Sequence, residues 1–179
     1  SRLLMFDVLR FIEHHRYRLV FVENVVDIAT QQKYSAAWAA WQKGLRKLGY
    51  EYRVVSLNSM HAQLGGDPAP QSRDRLYVVA WPAGEKAPNL DRELSPAAWC
   101  DRCERMVSTH QAWKPGRTVG RYRAQYLYAC NVCRDIVEPG WLPAASAIDW
   151  ALPAERIADR SRPLSMATAA NSRAQIEAL

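Results

Sequence analysis

Apolar positions at Leu4, Phe6, Val8, Leu9, Phe11 and Ile12, with polar residues between them, predict a helix over 3–15 that packs on one side. Leu19-Val20-Phe21-Val22 is a short unbroken apolar run. It predicts a buried strand of the kind found in parallel sheets covered on both faces. Trp38, Trp41, Leu45 and Leu48 recur at three-to-four spacing behind Ser35. A helix from Ser35 to about Leu48 is therefore expected, capped by the serine and stopped by Gly49. Its two tryptophans read as core residues rather than cofactor contacts. Tyr50 to Leu57 and Leu76 to Ala80 read as further strands, separated by a loop over 61–70 that carries Gly65-Gly66-Asp67-Pro68. Helix, strand, helix, strand, loop, strand is an α/β order. Three strands and two helices make only a small share of a doubly wound sheet.

Beyond Trp81 the pattern changes. Pro82, Pro88 and Pro96 mark a linker over 83–98, and Glu138-Pro139-Gly140-Trp141-Leu142-Pro143 punctuates a second boundary. Between them, residues 99–142 carry all four cysteines. Thr168 to Leu179 reads as a last helix.

The cysteines form two pairs, Cys100-Asp-Arg-Cys103 and Cys130-Asn-Val-Cys133, with 26 residues between them. Two residues between thiolates let a tight knuckle present both sulfurs to one ion, and two knuckles complete a tetrahedral zinc site. Such a site has no open position, so the metal is expected to be structural. Two disulfides, or four ordinary buried cysteines, are the alternatives; a C-x2-C disulfide closes a very short loop and suits an oxidising compartment.

Length and charge narrow the picture further. At 179 residues and 20.4 kDa the chain makes one sizeable domain, or one domain and a small module. Apolar residues at 49% and charged residues at 23% exclude wholesale disorder. No apolar run reaches the ~18 residues of a membrane span, so no membrane partner is expected. Nothing at the start resembles a secretory signal. The first residue is Ser1 rather than an initiator Met, and coding sequence upstream is expected. The net charge of +6 permits a nucleic-acid partner. It is concentrated in the cysteine module: from Arg105 to Arg134 there are six basic residues and no acidic one, interleaved with Trp113, Tyr122, Tyr126 and Tyr128. Arg121 to Tyr128 alternates in type as a strand with a basic face would, after a turn at Lys114-Pro115-Gly116. Lys114, Arg117, Arg121 and Arg123 are candidates for phosphate contacts, and Arg and Gln125 for base edges. A solvated surface hairpin is the alternative.

Two strings in the α/β part are specific together. Glu23-Asn24-Val25 follows the first strand, and Gln71-Ser72-Arg73-Asp74-Arg75 runs into the third as Q-x-R-x-R. In this order, separated by a Trp-bearing helix and Leu48-Gly49-Tyr50, they resemble the C5-cytosine DNA methyltransferases, with an overall order similar to bacterial and phage members. The four-cysteine module occupies the place of that family's variable DNA-reading insert. Asp159-Arg160-x-x-Pro163-Leu164, with Thr168 and Arg173-Ala-Gln-Ile176, looks like the segment that returns from it.

The resemblance implies an α/β fold: a partial doubly wound, Rossmann-like methyltransferase sheet over 1–82, a linker over 83–98, an inserted zinc-ribbon-like target recognition module over 99–142, and a return segment over 143–179. It implies a base pocket in which Glu23 holds N3 and the exocyclic amine of a flipped-out cytosine, Asn24 braces the loop, Arg75 contacts the base or its backbone, and Arg73 orders the site. It also implies S-adenosylmethionine as methyl donor, double-stranded DNA as substrate, and the cytoplasm of a bacterial or phage-infected cell as location. The sequence departs from the family's pattern, and the family's C-terminal segment that closes the cofactor pocket is not recognised in it. No cysteine follows a proline, so the Pro-Cys nucleophile is missing, and no G-x-G occurs, so the main cofactor loop is missing. The expectation is a chain that is inactive alone and completed by a complementary subunit. A zinc-dependent DNA-binding module without catalysis, a decayed methyltransferase, and a zinc ribbon for protein contacts are the alternatives.

Overall fold

The computed structural model describes residues 4–63, 66–92, 94–153, 159 and 164–177. The chain forms two compact units, Ser1–Ser146 and Ala147–Leu179. The first begins with helix α1 (Leu4–His15), strand β1 (Val20–Asn24), a single turn α2 (Asp27–Thr30), helix α3 (Ser35–Lys47) and strands β2 (Tyr50–Asn58) and β3 (Asp74–Pro82). Strands β4 (Ala97–Cys100), β5 (Arg105–Trp113), β6 (Tyr126–Cys130) and β7 (Ile136–Val137) follow. Within the second unit the described element is helix α4 (Met166–Glu177), where the last helix is expected. Arg160 and Pro163 of the returning string, Gly65 of the long loop, and the final two residues lie outside the described residues.

One core joins α1, α3 and one face of the first sheet. Ile12, Trp41, Leu45, Tyr50, Val78 and Ala80 are buried there, with Trp38, Leu48, Val20, Val22 and Val54 packed around them. The three-to-four spacing of α3 therefore points into the core as expected, and Trp38 stacks on Trp41 with ring centroids 5.6 Å apart. The indole N–H of Trp41 donates to the Met5 carbonyl across the helix pair at 2.8 Å. At Gly44 the two helices pack tightly: a Cβ there would lie 2.4 Å from Leu9 Cδ1. Gly49, at φ +82°, takes the left-handed conformation that ends α3. Ser35 does not cap the helix. It lies inside the first turn, and its hydroxyl donates to the Gln32 carbonyl at 2.8 Å.

The sheet is ordered β1-β3-β2, with β3 antiparallel to both neighbours. The expected parallel pairing of β1 is thus corrected: β1 and β2 run parallel to each other, but the returning strand β3 lies between them. Nor is β1 buried on both faces, since Phe21 is 64% exposed. Phe21 shares its face with an open apolar hollow of about 450 Å³ lined by Val55, Leu57, Tyr77, Val79 and Leu94. A four-residue apolar run fits a strand with one covered face as well as one with two.

The second sheet is an antiparallel ribbon ordered β4-β5-β6-β7. Arg121 to Gln125 is not part of its strands. Strand β6 starts only at Tyr126, and Arg123, at φ +63°, turns the chain into it. The expected basic strand face is therefore a basic turn.

Candidate base pocket and metal centre

The antiparallel register sets Asn24 opposite Leu76 and Glu23 opposite Tyr77. The C-terminal end of β1 and the start of β3 are thereby brought level, and Arg75 falls beside Glu23. Arg75 Nε donates to Glu23 Oε1 at 2.5 Å, while its Nη1 donates to the Asp74 carbonyl at 2.8 Å. The guanidinium is mostly covered, at 18% exposure, whereas Glu23 is half exposed at 50%. One carboxylate oxygen is thus anchored on a planar donor while the group still faces solvent. Glu23 and Asn24 also line a wide hollow of about 630 Å³ against Leu4, Met5 and Val8 of α1. Asn24 Oδ1 accepts from the Val25 N–H at 2.8 Å, which stiffens the turn out of β1.

Arg73 contributes through its backbone: its N–H donates to Asn58 Oδ1 at 3.0 Å, and its carbonyl accepts from Ser59 N–H at 3.0 Å. It shares a polar hollow of about 330 Å³ with Val25, Asp27, Ser72, Arg75 and Arg121. Arg121 belongs to the cysteine module, and it reaches back to pair with Asp27 at the start of α2. Arg73, Arg75 and Arg121 therefore meet at one end of the first sheet, next to Glu23.

The turn over 120–125 is anchored by several bonds. Gly120 N–H donates to Ser56 Oγ at 3.1 Å, and Tyr122 N–H donates to Asp74 Oδ1 at 2.9 Å. Gln125 Oε1 accepts from the Arg121 N–H at 2.7 Å, so this side chain shapes the turn from within. Arg123 pairs with Glu138 at 2.7 Å and lies over the Tyr122 ring. Lys114 and Arg117 are exposed on the neighbouring loop. Beneath the turn, His61 is fully buried, with the rings of Tyr122 and Tyr128 at 4.6 and 5.3 Å. Burial pushes its pKa below the ordinary histidine value.

Gly120 is required by space rather than by backbone angle. A Cβ there would sit 2.3 Å from Gln125 Cβ, and Gln125 cannot withdraw without dropping the Arg121 amide. Gly120→Ala is expected to destabilise the fold by about 1–3 kcal/mol through overpacking, lowering the melting temperature by several degrees. Scanning calorimetry on the two proteins checks this, and an unchanged melt would contradict the tight packing.

The four cysteines are free and close together. Their sulfurs all lie within 4.8 Å of one another, and Cys100 and Cys130 are buried. Cys100 Sγ and Cys133 Sγ are 3.4 Å apart, and Cys103 Sγ and Cys130 Sγ are 3.8 Å apart. A tetrahedral zinc thiolate site with arms of about 2.3 Å has edges of about 3.8 Å, so the donor set fits such an ion in kind and spacing. Both knuckles use the same backbone device: Glu104 and Arg134, each directly after the second cysteine, are left-handed at φ +52° and +70°. The N–H groups of Cys133 and Val132 point at Cys130 Sγ and pull its pKa down to about 6, favouring the thiolate that a metal needs. A four-cysteine group that can hold a metal ion is therefore present.

Several residues of this region carry no sequence signal of their own. Asp27, Ser56, Asn58 and Asp74 act through partners 15 to 94 positions away. His61 ends a single 3-10 turn (Ser59–His61), and only its complete burial marks it.

Among the described residues no helix is long and apolar enough to cross a membrane. No curated protein matches the chain. The model of one protein family, the C-5 cytosine-specific DNA methylases, matches residues 1–114, which is more than half of the sequence. That match spans α1, the Glu23–Arg75 pair and the first cysteine knuckle, and the chain belongs to the C-5 cytosine-specific DNA methylase family.

Proposed function

We propose that this chain supplies the base pocket and the DNA-reading module of a DNA cytosine-5 methyltransferase of bacterial or phage type. The Glu23–Arg75 pair carries this reading, because it lies at the end of β1 beside the hollow that Arg121 enters from the cysteine module. Glu23 would hold N3 and the exocyclic amine of an extruded cytosine, stabilising charge that develops on the ring during attack at C6. Arg75 would fix the carboxylate and touch the base or its backbone. Asn24 would keep the loop in shape, and Arg73 would order the neighbouring strand entry.

Residues 1–82 would form one edge of a doubly wound sheet, 83–98 the lead into the target recognition module over 99–142, and 143–179 the return. Lys114 and Arg117 would contact phosphates directly. Arg121 and Arg123 would exchange their carboxylate partners for phosphates, and Gln125 would shape the turn that presents them. Cys100, Cys103, Cys130 and Cys133 would hold a structural zinc ion. S-adenosylmethionine supplies the methyl group when bound. No Pro-Cys and no G-x-G occur in these 179 residues, so the nucleophile and the main cofactor loop would come from a complementary segment or subunit. The setting would be the cytoplasm of a bacterial or phage-infected cell.

The test is a pair of measurements on the metal-loaded chain. With labelled S-adenosylmethionine and cytosine-containing duplex, incorporation should stay at background for the chain alone and rise when a Pro-Cys-bearing partner is added. Duplex affinity should fall with salt at a log–log slope of about −3.6, for roughly four phosphates neutralised. Incorporation by the chain alone would refute the division of labour. A flat salt response would favour a ribbon used for protein contacts.

A further inference from the structure

Asp74 stands between the exposed Arg73 and the half-buried Arg75, and its side chain turns to partners in the neighbouring strand and the basic turn. Its Oδ1 accepts from two directions: from Tyr122 N–H in the basic turn at 2.9 Å, and from Asn58 Nδ2 at 3.1 Å. Asn58 is its register partner on β2 and is only 1% exposed. The buried amide is fully engaged. Its Oδ1 accepts from the N–H groups of Arg73 and Met60 at 3.0 and 3.1 Å, and its Nδ2 also donates to Ser72 Oγ at 3.0 Å. One amide and one carboxylate thus connect the strand entry that carries Arg73 and Arg75 to the backbone of the turn that carries Arg121 and Arg123. A second strut, Arg121 to Asp27, joins the same turn to the chain just after Glu23-Asn24.

We propose that Asp74 is a positioning residue that couples DNA reading to base capture, by holding the basic turn in register with the Glu23–Arg75 pocket. The proposal rests on the function proposed above. A backbone N–H bonded to a carboxylate cannot be replaced by the solvent-exposed charges of the turn, because it fixes the path of the chain rather than one side chain. Without it the turn keeps its positive charge, and hence its attraction to any duplex, but loses the fixed geometry that base-edge contacts require. Affinity for duplex in general and discrimination between duplexes should therefore separate.

The experiment uses the full metal-loaded chain and a pool of random duplexes with a fixed central cytosine. Bound duplexes are sequenced, and affinity for the unselected pool is measured in parallel. The wild type should enrich a motif. Asp74→Ala should bind the pool within about threefold of wild type, yet lose enrichment of that motif by about tenfold, on the scale of one mismatched base pair. Asp74→Asn retains an oxygen that can accept both bonds and should restore enrichment. Asp74→Ser keeps a polar hydroxyl at the strand entry but stops one bond short of the place where Oδ1 meets Tyr122 N–H and Asn58; it should behave as Asp74→Ala, and it serves where that variant does not fold. Enrichment retained in Asp74→Ala or Asp74→Ser, or lost equally in Asp74→Asn, would overturn the positioning role while leaving the DNA-reading function standing. A wild type that enriches no motif would overturn both.

Discussion

Removing the metal from the four-cysteine cluster with a chelator, or replacing Cys130 by Ser, is expected to melt the ribbon β4–β7 and leave the α1–α3 core folded. Structural zinc contributes about 10–16 kcal/mol to small modules, more than the ribbon can recover from its own burial. Its apolar cluster contains only Cys100, Val107 and Cys130 fully buried, with Cys103, Cys133 and Val137 around them. Four of those six residues are the clustered cysteines, so an ion held by them would stand in for the apolar packing at that end of the ribbon. The first sheet has an independent core built on Ile12, Trp41, Leu45 and Val78. Limited proteolysis and hydrogen exchange should show new cleavage and fast amides across residues 97–137, while the amides of α3 stay protected. The turn over 120–125 should loosen with the ribbon, because β6 follows it directly. Unchanged proteolysis in that span after chelation would rule out a structural metal.

Glu23→Gln should cost an assembled, active enzyme about 10²–10³-fold in kcat with little change in stability. The loss has the size found when one preorganised electrostatic group is removed from a reacting centre. The stability side follows from exposure. Glu23 is half exposed, and a surface ion pair contributes about 0–1 kcal/mol, so the melting temperature should move by no more than a few degrees. Arg75→Ala should lower kcat at least as far, since it frees the carboxylate and removes the group that orients it. The two readouts together separate function from structure: a variant that keeps kcat, or one whose loss follows its melting temperature, would show that the pair is a surface staple. The assay supplies the proposed Pro-Cys-bearing segment or subunit and compares initial rates at saturating duplex.

Much of this fold is legible in the sequence. The Trp38–Leu48 spacing marks α3 and its buried face. The stretches Tyr50 to Leu57 and Leu76 to Ala80 mark β2 and β3, and the cysteine spacing anticipates the sulfur cluster. Glu-Asn-Val and Q-x-R-x-R point to two strand ends that prove adjacent. The misreadings have physical causes. Leu19 to Val22 looks like a strand between parallel neighbours because a short apolar run does not reveal its pairing; β3 returns antiparallel beside it, and Phe21 faces outward. Arg121 to Gln125 alternates like a strand, but Gln125 bonds the Arg121 amide and Arg123 turns left-handed. Local alternation carries no trace of the bonds from Ser56 and Asp74, 64 and 48 positions earlier, that hold the turn in place. In the same way, the charge on Arg121 and Arg123 gives no sign that Asp27 and Glu138 already accompany them.

The bonds that cross between the two sheets also determine how the molecule could be re-engineered. The sequence invites transplanting the ribbon as a cassette cut near residues 83 and 142. Such a chimera would sever Gln111 Nε2 from the Ser56 carbonyl, Gly120 from the Ser56 hydroxyl, and Gln63 from Ala97 and Gly140. Apart from the bond made by the Gln111 side chain, each meets the ribbon at its backbone, indifferent to the ribbon's side chains but demanding about its path. A donor ribbon would thus be accepted when its turn follows the same course over the host's Ser56, Gln63 and Asp74, whatever bases it prefers. Exchange of sequence preference among such proteins would then be governed by the shape of one short stretch of main chain.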